Sequence, residues 1–598
     1  MIYTVTAANW NDPAFWSSIS ETTSGHTLDF SGLPSNFNVD FDPTVGNVLT
    51  IDDGTTSFVI GSSVGGLGDV QLGGTTTWEL FDTIIGTGTD DVIDSADVGT
   101  TIFGGDGDDT IRGLGGDDTI YGGEGSDFVA VNVGDGNDTL FGGESLGDAD
   151  EVNFNRHPDG VVVTMTGDEA GNATGDGLAV EFSEFERVVM SDGDDVYNGT
   201  ATTTDMFVSG NAGNDIIYSG SGNDTVRGTT GDDTIYGGAG DDVVDGGDDN
   251  DVGYGGTGND ILWGGGQNTG DDSLYGGDDE DLFLITDQAN NDTLVGGEGG
   301  SDLDTMDMSA LTTGANITFT GFEAGTMTAP DTDVVFSEME QFLLTDQDDV
   351  VDATASTGGT DFSLRDGDDS FAGGSGNDSV DGGTGNDVLS GGAGNDTLLG
   401  QEDRDTFYVS DNGDDDFIRG GEGGTDLDTL TFEQAANGVD VTMIADEAGT
   451  AVLTGGTVDF GQIEVFTMTD QNDTFYANAG TGGKTVNLLD GDDTFEGGVG
   501  NDSVDGGSGN DSIAGGSGED TLLGGDGNDI LWSGNDDDTL FGGDGDDEVA
   551  GGHGNDVGYG GAGNDSMWGG QQNTGDDTLY GGDDQDTFGL TDQANNDT

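Results

Sequence analysis

Aspartate returns at every ninth position over a long stretch, at Asp493, Asp502, Asp511, Asp520, Asp529, Asp538, Asp547, Asp556 and Asp565. Each closes the same phrase, Gly-Gly-x-Gly-x-Asp-x-apolar-x, as in GGVGNDSVDGGSGNDSIAGGSGEDTLLGGDGNDIL. A carboxylate beside glycine-rich backbone offers hard oxygen donors, and Ca²⁺ collects about six to eight of these in flexible geometry. Mg²⁺ demands stricter octahedral geometry and retains water, so these turns suit Ca²⁺ better. The chemistry offered by this spacing is repeated cation binding.

The unit reads as a six-residue turn followed by a three-residue strand. Glycine supplies the positive φ angles of a tight turn. Ile513, Leu522 and the pair Ile530 and Leu531 bring one apolar side chain inward per strand. A strand with a single inward residue cannot stand alone, so successive units must coil and stack.

Period, glycines and aspartate recurring together resemble the RTX (repeats-in-toxin, hemolysin-type) nonapeptide family. The resemblance implies an all-β fold: a parallel β-roll or β-helix solenoid of calcium-binding repeats, here with a small N-terminal β domain. It also implies Ca²⁺ as cofactor, in many copies up to about one per turn, each ion held between neighbouring turns on one edge.

The expected ligands extend beyond the stretch quoted above. A first array carries Asp109, Asp118, Asp127 and, two residues late, Asp138. A second carries Asp215, Asp224, Asp233, Asp242, Asp251, Asp260, Asp272 and Asp281, and a third Asp369, Asp378, Asp387, Asp396 and Asp405. Asp577 and Asp586 complete the fourth. Some units break the rule. Gly400-Gln401-Glu402-Asp403-Arg404-Asp405 has lost two glycines and gained a cation, which predicts a weak or empty site. Gly253 and Gly558 fall on inward positions, where Tyr254 and Tyr559 are expected to compensate.

Composition points the same way. The 598 residues are only 31% hydrophobic, and 123 acids against eight bases leave a net charge of −115. That charge excludes nucleic acid or an anionic membrane surface as electrostatic partner. Without metal, such a chain reads as disordered. There is no cysteine to make disulfides or thiolate sites. His26, His157 and His553 lie too far apart in sequence to suggest a transition-metal site.

The arrays span 86–141, 196–295, 350–419 and 474–598, separated by spacers at 142–195, 296–349 and 420–473 that align without gaps. Each spacer holds a strand, then Glu-Ala-Gly at Glu169, Glu323 or Glu447, then Phe182, Phe336 or Phe460, then Glu186, Glu340 or Glu464. They read as wider coils with longer strands that splice one roll to the next, or else as independent β domains. The recurring glutamates cannot pair within a module, so they suit hydrogen bonding or an extra ion ligand better than acid–base catalysis.

Residues 1–85 alternate like strands and form a small sandwich or a cap. Trp10, Trp16 and Trp78 there fill a small core or line a carbohydrate-binding face. Gly61-Ser62-Ser63-Val64-Gly65 matches GxSxG, yet no helical pattern follows it and no histidine partners it. Trp263 to Thr293 returns as Trp568 to Thr598, an offset of 305, which predicts a fourth spacer just past the last residue and a longer array.

The function expected is that of a calcium-folded, rigid extracellular rod with a structural, surface-layer or adhesive role, and not of an enzyme. Alternatives are a secretion scaffold for a toxin or hydrolase part outside this chain, and carbohydrate binding by the N-terminal domain. Partners would be calcium ions, with cell-surface glycans or further copies of the chain, and neither nucleic acid nor membrane insertion. The first residues lack the pattern of a secretory signal. The resemblance then implies type I export to the exterior or cell surface.

Overall fold

In the computed structural model every regular element among the described residues is a β-strand. The description covers residues 2–6, 26–32, 38–42, 48–52, 57–60 and 81–589, except 96–98, 133, 144–146, 266–269, 287–290, 298, 300–302, 331, 424–426 and 571–574. Trp10, Trp16, Trp78 and the GxSxG stretch lie outside it. The chain forms two compact units, Met1–Asp304 and Thr305–Thr598.

The second unit shows how the period becomes a fold. Ser503–Ser508 pairs in parallel with Thr521–Asp526, and that strand with Thr539–Asp544. Ser512–Ser517 pairs instead with Ile530–Asn535, and that strand with Glu548–His553. Alternate nonapeptides thus fall on opposite sheets, and one coil takes two of them. The side chains of Ile513, Leu522, Leu531, Leu540, Val549 and Met567 fill the space between the sheets, each at most 1% exposed. Their neighbours point outward, as the two-residue strand period requires; Ile530 is 41% exposed.

Many strands are longer than the three residues expected. The ladder runs on through the glycine pair, so that Gly525 and Asp526 still pair with Gly507 and Ser508. Gly525 and Gly527 have φ of 112° and 142°, and a Cβ on either would strike the carbonyl of Gly507 or Gly509 in the preceding coil. No other residue fits there.

The inward glycines are compensated differently from the expectation. A Cβ on Gly253 would lie 2.9 Å from Leu274 Cδ2 and 3.1 Å from Val244 Cγ1, so neighbouring core side chains close the gap. Tyr254 points outward and stacks between Tyr236 and Tyr275 at 4.7 and 4.8 Å. Tyr559 likewise stacks between Phe541 and Tyr580 at 4.9 and 5.0 Å. The strand period puts the residue after an inward position on the outer face, where rings one coil apart meet at stacking distance.

The spacers interrupt one sheet and leave the other intact. In the first unit Phe128–Ala130, Glu151–Asn153, Arg187–Val189 and Phe207–Ala212 continue one parallel ladder. In the opposite sheet Val162–Gly167, Ala170–Gly175 and Leu178–Ser183 form an antiparallel meander. Its last strand pairs with Gly136–Phe141 before it and its first with Val196–Asn198 after it. The wider coil expected is therefore a three-strand meander with strands no longer than those of the arrays. Asp440–Met443, Ala448–Val452 and Thr457–Gly461 repeat it in the second unit.

The glycine of each Glu-Ala-Gly makes room for the spacer phenylalanine. A Cβ on Gly171, Gly325 or Gly449 would come within 2.6, 2.6 or 2.7 Å of Cζ of Phe182, Phe336 or Phe460. At the N-terminus Ile2–Thr6, His26–Gly32 and Phe81–Ile85 pair in parallel and lead into Thr101–Asp106. Those strands extend the sheet of the roll.

Candidate metal centre

Pairing at an eighteen-residue register stacks the turn aspartates in files along the roll. In the second unit the backbone N–H of Asp473 donates to Oδ1 of Asp493 at 2.7 Å, and the pattern passes through Asp511, Asp529, Asp547 and Asp565 to Asp586. A parallel file runs from the N–H of Lys484 through Asp502, Asp520, Asp538 and Asp556 to Asp577. Two shorter files contain Asp369, Asp387 and Asp405, and Asp378 and Asp396.

The first unit repeats the arrangement with Asp109 and Asp127 in one file and Asp118 and Asp138 in the other. Beyond its spacer come Asp215, Asp233, Asp251 and Asp272, and beside them Asp224, Asp242, Asp260 and Asp281. Every aspartate singled out from the sequence lies on one of these files. So do several that the nine-residue rule missed, among them Asp91, Asp150, Asp195, Asp292, Asp304, Asp349, Asp416, Asp428 and Asp473. Two of the spacer glutamates are hydrogen-bond acceptors: Asp150 N–H donates to Glu186 Oε2 at 2.7 Å, and Asp428 N–H to Glu464 Oε2 at 2.8 Å.

Oδ1 is thus occupied, and the question is what meets Oδ2. In Asp109, Asp118, Asp127, Asp233, Asp251, Asp493, Asp511, Asp529 and Asp547, among others, Oδ2 is buried with no hydrogen-bond partner. In Asp109, Asp127, Asp233, Asp511, Asp529 and Asp547 it lies against the first glycine of its own turn, beside a carbonyl of the next coil. A Cβ on Gly506 would sit 2.6 Å from Asp511 Oδ2 and closer still to the Gly524 carbonyl oxygen. A carboxylate oxygen buried unpaired costs about 1–3 kcal/mol or more, and such atoms are normally satisfied. The donor set fits Ca²⁺, because carboxylate and carbonyl oxygens of two coils converge there. Among the described residues no three acidic, histidine or cysteine side chains cluster around one point. A bound Ca²⁺ would supply the positive charge that these oxygens lack.

A second relay runs the opposite way on the outside of each turn, through the residue before the aspartate. Asn510 N–H and side-chain amide both donate to Asp492 Oδ1 at 2.8 Å; Asn528 N–H donates to Asn510 Oδ1, and Asp546 N–H to Asn528 Oδ1. These donors hold the exposed Asp492 carboxyl below the usual carboxylate range. The recurrent Asn-Asp and Asp-Asp pairs were its signal in the sequence.

The inner carboxyls behave in reverse. Burial, and then neighbouring carboxylates, push Asp511 and Asp493 up to about 7, Asp109 up to about 8 and Asp118 and Asp251 up to about 9, against the pull of a backbone N–H. A raised folded-state value means that the metal-free fold holds protons that the unfolded chain releases. Its contribution to stability is complete below about pH 4 and is lost as pH rises through about 7 to 9. In chelator, strand content measured by circular dichroism is therefore expected to be higher at pH 4.5 than at pH 8. Loading with Ca²⁺ at pH 7.5 is expected to release protons, measured by calorimetry in buffers of different ionisation enthalpy. A metal-free chain most ordered at pH 8 would contradict this.

Some turns close themselves. Asp473 accepts from the Thr469 N–H at 2.8 Å and from its hydroxyl, and from the Val439 N–H at 2.6 Å. Asp195 and Asp349 are held likewise by Ser191 and Thr345. Asp378 is engaged by Thr360 and by the Gly374 N–H at 3.3 Å. Ser219 and Ser533 replace the first glycine before Asp224 and Asp538, and their hydroxyls donate to the Gly237 and Gly551 carbonyls. In the turn ending at Asp405, Gln401 and Asp403 occupy positive φ of 87° and 78° where other turns have glycine.

Gly524 lies at an ordinary φ, so alanine there introduces no backbone strain. Its Cβ would sit 2.5 Å from the Gly542 carbonyl oxygen and closer still to Asp529 Oδ2, and a methyl cannot donate as the serines do. Gly524→Ala is expected to cost about 1–3 kcal/mol in millimolar Ca²⁺. Denaturant titration with and without Ca²⁺ should show most of that loss only when the ion is present.

A two-sheet roll whose turns stack buried, unpaired carboxylate oxygens against carbonyls is the architecture of a calcium-binding repeat solenoid. The RTX calcium-binding nonapeptide repeat model matches residues 99–129, 131–145, 207–284, 365–398, 489–558 and 573–590. RTX repeats thus run through both units, and Ca²⁺ is the ion that this family of repeats binds. No curated protein matches the chain.

Proposed function

We propose that the protein is a secreted structural or adhesive component, ordered by calcium outside the cell and lacking catalytic activity of its own. The observation that carries this reading is the run of buried carboxylates with an unpaired oxygen, as at Asp493, Asp511, Asp529 and Asp547, which needs a plentiful divalent cation. Extracellular modules bind Ca²⁺ with dissociation constants of about 10⁻⁴ to 10⁻³ M, which exterior concentrations meet and cytoplasmic ones do not. At tenfold excess each occupied site adds about 1.4 kcal/mol to folding stability. Few buried apolar residues per turn and no disulfide leave little else to supply it. Among the described residues no helix is long and apolar enough to cross a membrane. The ligands proposed are the turn aspartates whose Oδ2 is unpaired, together with carbonyls of adjacent coils.

Fractionation of the producing cells, with trypsin digestion of each fraction, tests the reading. The chain should be found in the medium or on the surface, resistant to trypsin in Ca²⁺ and degraded in chelator. A protease-resistant chain retained in the cytoplasm would overturn it.

A further inference from the structure

Each spacer opens with a glycine-to-aspartate spacing that the nonapeptide rule does not describe. Gly142 and Asp150 stand eight residues apart, where an ordinary unit has its first glycine and aspartate five apart. Asp150 and Glu184 also lie outside every stretch matched by the repeat model. Yet the cradle is rebuilt there. Asp150 is fully buried, its Oδ1 accepts the Asp127 N–H at 2.7 Å, and its Oδ2 has no partner. A Cβ on Gly142 would run into that Oδ2 and into the Glu184 carbonyl oxygen. Gly122, in the coil before, is flanked in the same way by Asp127 Oδ2 and the Gly142 carbonyl.

We propose that Asp150 and the Glu184 carbonyl, packed against Gly142, form an additional Ca²⁺ site at the junction of array and meander. It rests on the calcium reading above and extends that reading to residues of the spacer. Glu186, directly before the strand Arg187–Val189 of the uninterrupted sheet, finishes the file by accepting the Asp150 N–H. The junction is the place where an ion is most useful. There the next parallel partner of Gly136–Phe141 is Leu178–Ser183, a strand that comes from beyond the meander's other two strands and pairs antiparallel with Ala170–Gly175 on its far side. The second unit repeats the arrangement with Gly420, Asp428 Oδ2 and the Gln462 carbonyl, closed by Glu464. Inside an array, Gly569 and Asp577 show the same eight-residue spacing with the same contact. The far end of the spacer differs: Ser191 and Val161 fill both oxygens of Asp195, and no ion is assigned to it.

The test is a crystal structure of the full chain with Tb³⁺ replacing Ca²⁺, read by anomalous difference density. A peak is expected between Asp150 and the Glu184 carbonyl, alongside peaks at Asp118 and Asp127 and none at Asp195. Asp150→Asn is expected to remove that peak alone; a peak that survives the substitution would overturn the proposal. Density at Asp118 and Asp127 with none at Asp150 would overturn it while leaving the repeat reading standing. No density at any turn would overturn both. Should Asp150→Asn fail to fold, the wild-type map alone decides.

Discussion

Stripped of Ca²⁺ at pH 7.5, the full chain is expected to lose its far-UV strand signal and regain it when the ion is returned. The midpoint should fall at about 10⁻⁴ to 10⁻³ M free Ca²⁺, with Mg²⁺ at equal concentration ineffective. Charge decides the outcome. Arg112, Arg187, Arg227, Arg365 and Arg419 make the ion pairs seen among the described residues, set against 123 acids in the chain. Such partly exposed pairs contribute little, about 0–1 kcal/mol each. Strands stack about 5 Å apart, where two carboxylates repel by roughly 3 kcal/mol at an effective dielectric of 20. The inner files contain such pairs in succession, and one buried aliphatic residue per nonapeptide cannot offset them. Without divalent charge, the fold survives only where protons replace it. Strand content indifferent to chelation would contradict this.

Asp511→Ala is expected to give the largest effect of a single substitution in the fourth array. Asp511 is 1% exposed, and its Oδ1 takes the Asp493 N–H at 2.9 Å while its own N–H donates to Asp529 Oδ1 at 2.9 Å. Alanine keeps the second bond and destroys the first, leaving a buried N–H unpaired at about 1–3 kcal/mol. It also removes a carboxylate from the cation site, worth about 1.4 kcal/mol at tenfold excess Ca²⁺. The sum is about 2–4 kcal/mol. Solenoid coils communicate through nearest neighbours, so the damage should stay local. Hydrogen exchange should rise between about Asp493 and Asp529 and remain unchanged at Asp215 to Asp260. Uniform loss of protection along the chain would show instead that the arrays do not fold as separable stretches.

The period, the inward apolar residue and the turn aspartate were legible because each is a local demand repeated many times. The partner of each strand was not. A nine-residue unit is compatible with coils of one, two or more units, and only the pairing of Ser503 with Thr521 shows that two units close a coil. Asp150 and Asp428 escaped because they fall inside stretches read as spacers; Asp577, with the same three extra residues after Gly569, was picked up because array units flank it on both sides. The hydroxyl closures by Ser191, Thr345 and Thr469 were visible only as a residue type four positions before an aspartate, without a reason to pair them. The outward placement of Tyr254 and Tyr559 followed from strand alternation, but the missing core side chain at Gly253 and Gly558 drew attention inward.

Small-angle X-ray scattering of the full chain at pH 8, in chelator and again in millimolar Ca²⁺, tests most directly whether cations hold the roll together. The account predicts the rising Kratky profile of an unfolded chain in chelator and the peaked profile of a folded one with Ca²⁺. A peaked profile in chelator, unchanged when Ca²⁺ is added, would contradict it.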